Sequence, residues 1–561
     1  REVKKHIQSG KLDSFYIFTG DANLSKLRDA SAISEIYKSW YNPATQTIFF
    51  STNDGLYMLN EETSYKQLFY DVKDVIFLKD GSTAIIDGTT LYRLYYEDGE
   101  GRTTNQVRLN TGLYGAGDNN VFTEDLFMGV YYDSKEFTEM FVYEGDDLGV
   151  SVESGKTTFK LWAPISNKVS VQLYEYGHPT SLGTTEYPGD NKPVKEYELT
   201  MGEKGVWSTT VNEDLYGYYY TYTVKNGSTT TKGIVDPYAK ATGVNSLRGY
   251  IIDFSKTNPS GWNKNYTRPY SATQLIVYEM HVRDLTMDDT WNGTEKNRGT
   301  YLGLAETGTT YKGVTTGFDH IKELGVNAVQ ILPFFDQAND ETNKEQFNWG
   351  YNPQNYNVLE GQYSTNPYDA EVRVSEFKQM KLAYEQAGIE VIMDVVYNHM
   401  NGVSGAAFDM IIPGYYFRYN DAGELSNGSG CGNEVACERA MVHNFIVDST
   451  KFWVTEYHID GFRFDLVGLI DTDTINAIIE EVHKTHPDVI FYGEGWTMST
   501  KVTKEGYTMT TQTNAGKVPQ FGFFSDTGSF FFSTTAIADT VYVIMIQRGY
   551  FYLLYGSVIA S

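Results

Sequence analysis

Residues 458–471 read HIDGFRFDLVGLID, an apolar run broken by Arg463 and Asp465. In an extended strand side chains alternate, so 463 and 465 share one face while Phe462, Phe464 and Leu466 share the other. A neighbouring arginine favours the ionised carboxylate. Taken alone, the pair fits a structural ion pair at a strand end as well as a reactive group. Two further runs bear on the choice. DVVYNH places Asp394, Asn398 and His399 at one strand end, and YGEGW places Glu494 and Trp496 at another. The ends of parallel strands lie on one rim, which is where a (β/α) barrel carries its active site. Two carboxylates from neighbouring strands, Asp465 and Glu494, suit glycosidase chemistry: one attacks the anomeric carbon and the other protonates the departing oxygen. Glu494 must then keep its proton until it donates, which requires a dry site or a negative neighbour. His399 is placed to hydrogen-bond a sugar hydroxyl.

The elements that must position these groups are strands alternating with amphipathic helices. Strand-like runs occur at 275–282, 326–333, 389–396, 461–465 and in DVIFYGEGW. Between them, TTGFDHIKELG predicts a short helix with Phe318, Ile321 and Leu324 on one face, stopped by Gly325. Longer helices are predicted around 374–387 and 440–457, the second burying Val442, Phe445, Ile446 and Trp453. Another carries Ile475, Ile478, Ile479 and Val482 on one face. This pattern leaves a doubly wound sheet or a barrel. Upstream, residues 1–100 read as an all-β domain of unknown role, punctuated by Asn-Asp-Gly and Asp-Gly turns. Residues 101–147 read as a connecting β segment. Residues 148–262 read as a β-sandwich in which Val169, Val171 and Leu173 face the core.

Composition narrows the partners. With 72 acidic against 45 basic side chains, a net charge of −27 disfavours nucleic acid and anionic membranes. A neutral substrate fits better, and the 45 Tyr, 31 Phe and 8 Trp offer rings on which sugars can lie, although core packing takes most aromatics. Cys431 and Cys437 lack further ligands at zinc spacing. A leader peptide is not evident, so the compartment, extracellular or cytoplasmic in a bacterium, stays open.

DVVYNH, GFRFDLVG and YGEGW, in that order, resemble the first three signature regions of the α-amylase clan, glycoside hydrolase family 13. FNWGYNPQNYNVLEGQYSTNP, VYEMHVRDLT and SNGSGCGNEVACERAMV further resemble type I pullulanases, debranching enzymes that cut α-1,6-glucosidic links. The likeness runs from about Lys135 to Thr527. It implies a (β/α)8 TIM barrel over 263–527, α-glucan as substrate, a monomer, and no required cofactor. It makes Asp465 the nucleophile of a retaining mechanism and Glu494 the general acid/base, at a separation of about 5–5.5 Å. Arg463, Asp394 and His399 would line the subsite of the reacting sugar, Tyr351 would stack on that ring, and Trp496 would contact substrate. Asn398 matches a position that binds calcium in many α-amylases, and the metal is left open. The sandwich resembles the family 48 carbohydrate-binding module, with Trp162 expected in its core. An isoamylase-like enzyme, a glucan transferase and a non-catalytic glucan-binding protein stay open as alternatives.

The resemblance ends after FSDT. From Gly528 the chain runs 34 residues whose only charges are Asp539 and Arg548, and no Asn-His-Asp follows Glu494. The family's third catalytic carboxylate then has no counterpart. The expectation is an incomplete barrel of about six β-α units with an apolar tail over 528–561, from a truncated or frame-shifted gene, poorly soluble and with turnover in doubt. Gln547 and Arg548 sit in the middle of that tail's apolar stretch and argue against a membrane anchor.

Overall fold

The computed structural model describes residues 132, 135–226, 229–262, 266–419, 424–502 and 506–524, together with strands between 36 and 108 and two strands at 540–547 and 550–557. The chain divides into two compact units, the first ending at Tyr131 apart from a short excursion at Asp421–Glu424.

The first unit holds two antiparallel four-stranded meanders, Ile36–Asn42 to Ser64–Gln67 and Val72–Phe77 to Glu100–Arg108. Phe49, Leu56, Met58, Val75 and Ile85 form its core.

The second unit begins with the helix Lys135–Phe141, where the sequence reading placed a connecting β segment. Its KEFTEMF composition favours helix, and Phe137 packs edge-on against Trp162 and beside Tyr415. Two four-stranded antiparallel layers follow, one centred on Lys156–Trp162 and the other on Lys168–Tyr174, with Gly249–Tyr250 adding to the second. Val169, Val171 and Leu173 are fully buried between them. Trp162 is buried as well, and its indole N–H donates to the carbonyls of Phe141 and Lys204.

Six parallel strands then form one sheet in sequence order: β1 Val277–Met280, β2 Ala328–Ile331, β3 Glu390–Val395, β4 Gly461–Phe464, β5 Ile490–Gly493 and β6 Gly522–Phe523. Helices Gly317–Leu324 (α1), Ala370–Gln386 (α2), Ala440–Tyr457 (α3) and Thr472–His483 (α4) make the crossovers. Gly325 ends α1 in the left-handed conformation at φ 72°, as a C-cap glycine does. Leu324, expected on the buried face of α1, is exposed at the last position of the helix. This is an incomplete TIM barrel of parallel strands. The strands Thr540–Gln547 and Tyr550–Ser557 pair as an antiparallel hairpin lying beside β1 and β6, the outer strands of the sheet. Among the described residues no helix is long and apolar enough to cross a membrane.

Side chains pointing inside the sheet are stacked in layers. Val277, Ala328, Ile392 and Ile490 make the apolar floor with Tyr492 and Phe524. One step further along the strands the inward residues turn polar: Glu279 is level with Gln330, Asp394 with Arg463, and Arg463 with Tyr492. That polar layer is the base of the site.

Candidate active site

Arg463 organises the site. Its Nη1 donates to Asp394 Oδ1 at 2.8 Å and to Asp465 Oδ1 at 3.1 Å, and its Nη2 pairs with Glu494 Oε1. One guanidinium therefore holds three carboxylates from three adjacent strands. Their exposure differs in a way that sorts them: the Asp394 side chain is 0% accessible, Asp465 12% and Glu494 22%. Only the latter two can be reached by a ligand.

The chain leaves β4 sharply after Phe464. Leu466 takes φ 40°, a conformation costly for a residue with a branched side chain, so it does not continue the alternation of Phe462 and Phe464. The turn aims the Leu466 N–H at Glu494 Oε2, 3.3 Å away. Gly468 permits it, since a Cβ there would lie 2.0 Å from the Trp496 carbonyl oxygen. Trp496 is half-buried two residues beyond Glu494.

Asn398 donates through Nδ2 to the Asp465 carbonyl at 2.8 Å and to Asp465 Oδ2 at 2.9 Å. Its Oδ1 faces His399 Nδ1 at 2.6 Å, and His399 Nε2 lies 2.9 Å from the Tyr351 carbonyl. Asn398 is thus committed to fixing Asp465. His399 faces two oxygen acceptors of the protein itself, so a sugar hydroxyl would compete with them. The Tyr351 hydroxyl donates to Asp394 Oδ2 at 2.8 Å, pinning the ring above the site, and the Arg463 guanidinium lies 5.9 Å from its centroid.

Electrostatics separate the acids. Burial pushes the Asp394 carboxyl up to about 7 despite the Arg463 charge, with Asp465 adding repulsion. Burial likewise raises Glu494, opposed by Arg463 and reinforced by Asp465. Burial lowers His399 and so favours the neutral ring.

A polar chain that strand alternation could have revealed runs below the carboxylates. Tyr492 donates to Gln330 Oε1 at 2.5 Å, and Gln330 Nε2 donates to Glu279 Oε2 at 2.9 Å. Its signal is the kind that marked Arg463, a polar residue interrupting an apolar strand, in VYEMHV and AVQILP.

The fit to calcium is poor. Among the described residues the one group with metal-like spacing is Asp336, Glu341 and Glu360, whose ligand oxygens lie within 4.8 Å of one another. Their donors are already in place. Arg373 binds both Glu341 oxygens, at 2.8 and 2.9 Å, and the backbone N–H groups of Gln337 and Gln362 serve Glu360. Asn355 serves Asp336 at 2.6 Å. Burial raises Asp336 to about 7 and Glu360 well above the carboxylate range, so this is a buried, ion-paired knot and not an open oxygen cage. Asn398, the position considered for calcium, is engaged with Asp465 and His399.

The chain is similar to known proteins in sequence and in fold. Residues 250–412 match the family described as the alpha amylase catalytic domain, and residues 147–239 match carbohydrate-binding module 48, the isoamylase N-terminal domain. A pullulanase of Bacillus subtilis strain 168 is 37% identical over 405 residues, 72% of this chain and 53% of the relative. The crystal structure of the pullulanase from Paenibacillus barengoltzii in complex with maltohexaose and α-cyclodextrin matches with a TM-score of 0.66 and 42% identity, over 70% of this chain and 60% of that one. That of the pullulanase from Anoxybacillus sp. LM18-11 complexed with maltotetraose gives 0.67 and 34%, over 87% and 66%. The chain belongs to glycoside hydrolase family 13, the α-amylase family. Within it, the chain is a member of the type I pullulanase group, and it spans about half the length of the Bacillus subtilis relative.

Proposed function

We propose that this chain carries the catalytic residues of a retaining hydrolase that cuts α-1,6 branch links in pullulan, amylopectin or glycogen-type glucans. The observation that carries the reading is the Arg463 bridge between Asp465 and Glu494, with burial raising the second. Asp465 attacks the anomeric carbon while Glu494 gives its proton to the departing glycosidic oxygen, so the C–O bond breaks with charge conserved. Glu494 then takes a proton from water, which attacks the glycosyl-enzyme and frees Asp465. Asn398 and Arg463 aim Asp465. Tyr351, backed by Asp394, supplies a ring face for the reacting sugar, and His399 and Trp496 complete its walls. Residues 148–262 act as an α-glucan-binding module, 263–527 as the catalytic domain, and the chain works as a monomer.

A second reading, glucan binding without turnover, draws on the match of residues 147–239 to carbohydrate-binding module 48. One assay separates the two. Reducing ends released from pullulan by the chain, and lost in Asp465→Ala, support hydrolysis. Retention on amylopectin with no release in either protein supports binding alone, and neither release nor retention would sink both.

A further inference from the structure

Arg463 carries a single positive charge, and the acids around it hold more negative charge than it can balance. Asp394, Asp465 and Glu494 bond to it directly. A fourth carboxylate, Glu279 on β1, acts through space. Burial raises its pKa, and two site groups act on it from a distance, Arg463 lowering it and Glu494 raising it. Surplus negative charge in a dry site is relieved by protons, so the placement of the fourth acid bears on which of the others keeps one.

Glu279 is not held as a structural acid is held. Three buried acids that tie the barrel together are paired to cations: Glu341 to Arg373, Asp460 to Lys381 and Glu434 to Arg418. Glu279 receives a neutral amide instead, Gln330 Nε2 donating to its Oε2 at 2.9 Å. That amide is oriented from the other side, because the Tyr492 hydroxyl donates to Gln330 Oε1 at 2.5 Å. Gln330 is 0% exposed and Tyr492 3%. The chain of three therefore crosses the barrel interior from β1 through β2 to β5. Its last member stands level with Arg463, two residues before Glu494 on the same strand face. Burial raises the Tyr492 hydroxyl, which also feels the charges of Arg463, Asp394 and Glu279. On the other side of β1, the strand Thr540–Gln547 carries no charged side chain and one titratable one, Tyr542. The charges that reach Glu279 are thus those of the site.

We infer that Glu279 is a positioning residue for the acid/base: through Gln330 and Tyr492 a negative charge is fixed beneath Glu494, and it keeps the proton on Glu494 until the glycosidic oxygen takes it. The inference rests on the hydrolase reading of Asp465 and Glu494. Asp465 repels the Glu494 carboxylate only while it is an anion. Once it forms the glycosyl ester it is neutral, which frees Glu494 to act as base, and Glu279 is the charge that persists through both steps.

The test compares the wild type with Glu279→Gln, which removes the charge and keeps the hydrogen-bonding shape, and with Glu279→Asp, which keeps the charge. Two quantities are measured on the full chain: the pH dependence of kcat and KM on pullulan, and the carboxyl NMR titration of glutamate-labelled protein, with Glu494→Gln identifying the Glu494 signal. A negative neighbour raises a carboxyl pKa, so its removal must lower that of Glu494. In Glu279→Gln the basic limb of kcat/KM and the Glu494 midpoint should both move to lower pH by about 0.5–1, with turnover on the alkaline side falling about three- to tenfold and KM held within about twofold. Glu279→Asp should stay near the wild type in both. A Glu494 midpoint that Glu279→Gln leaves in place, or that Glu279→Asp moves as far, overturns the inference. Turnover lost equally at every pH with the midpoint unmoved would make Glu279 a packing residue and overturn it too. A wild-type chain that releases no reducing ends defeats the hydrolase reading, a separate result, and the carboxyl titration still decides whether Glu279 holds the proton on Glu494.

Discussion

Two buried arginines in the second unit are ringed by acids, and the way each ring is closed separates structure from chemistry. Arg373 binds Glu341 through both terminal nitrogens, with Asp336 and Glu360 alongside, and the Arg373 and Glu341 side chains are 0% accessible. Backbone carbonyls of Leu359 and Pro367 take its remaining protons at the terminal nitrogens. Arg463 also meets three carboxylates, but two of these keep part of their surface open. In both groups burial raises a carboxyl to about 7, Asp336 in one and Asp394 in the other. Perturbed acids are therefore no guide to which cluster reacts. Access is. The closed knot joins segments: the Asn245 N–H donates to Glu341 Oε2 at 2.7 Å and the Glu341 N–H to Asn245 Oδ1 at 2.8 Å, tying the stretch that leaves the sandwich to the barrel loops.

The comparison is sharpest if each arginine is replaced by methionine. Arg373→Met leaves Glu341 buried without its cation, and breaking such a pair costs about 3–5 kcal/mol. Urea unfolding should show that loss, while glucan affinity at the site stays within about twofold for the folded fraction. Equal midpoints for wild type and variant would mean that the knot is not structural. Arg463→Met should act on turnover first, lowering it by about 10²–10³-fold, as removal of a preorganised charge-stabilising donor does. Its unfolding cost should be the smaller of the two because Asp465 and Glu494 can regain water. Arg463→Lys should restore little, since a lysine cannot hold three carboxylates in one plane. A variant in which Arg463→Met costs more stability than Arg373→Met would reverse the assignment of roles.

The two groups also differed in how far the sequence revealed them. Asp394, Arg463, Asp465 and Glu494 each interrupt or end an apolar strand, so period-two alternation and parallel connectivity place them on one rim before any coordinates are known. The crossover helices were visible for a similar reason: α3 and α4 bury the residues whose spacing predicted it. The Arg373 knot draws on residues 336, 341, 360 and 373, three of them in or beside irregular loops with no periodicity to read. The helix at Lys135–Phe141 was likewise hidden, because seven residues carry too little pattern and its stability comes from Phe137 docking on Trp162 and Tyr415. Leu466 departed from its expected face because a left-handed residue ends the strand. The calls on 1–35, 109–131 and most of 528–561 lie outside the described residues.

A pH slope is an effect that both clusters should share. Burial raises Asp394 from 3.8 to about 7, and Asp336 by the same route. Between those values the folded protein keeps a proton that the unfolded chain has lost. The native state then binds more protons than the unfolded one, so stability must fall as pH rises through that window and level off above it. Urea midpoints measured from about pH 4.5 to 7.5 should therefore decline, and Asp394→Asn or Asp336→Asn should each flatten part of the decline. If the flattening adds in the double variant, the clusters titrate independently, as their separate arginines require. A slope untouched by either substitution would assign the protons to other buried acids, such as Glu390, which burial lifts to about 8. Adding a maltooligosaccharide then distinguishes the two regions once more. A ligand over Asp465 and Glu494 further desolvates the open cluster, so it should steepen the Asp394 contribution and leave that of Asp336 unchanged.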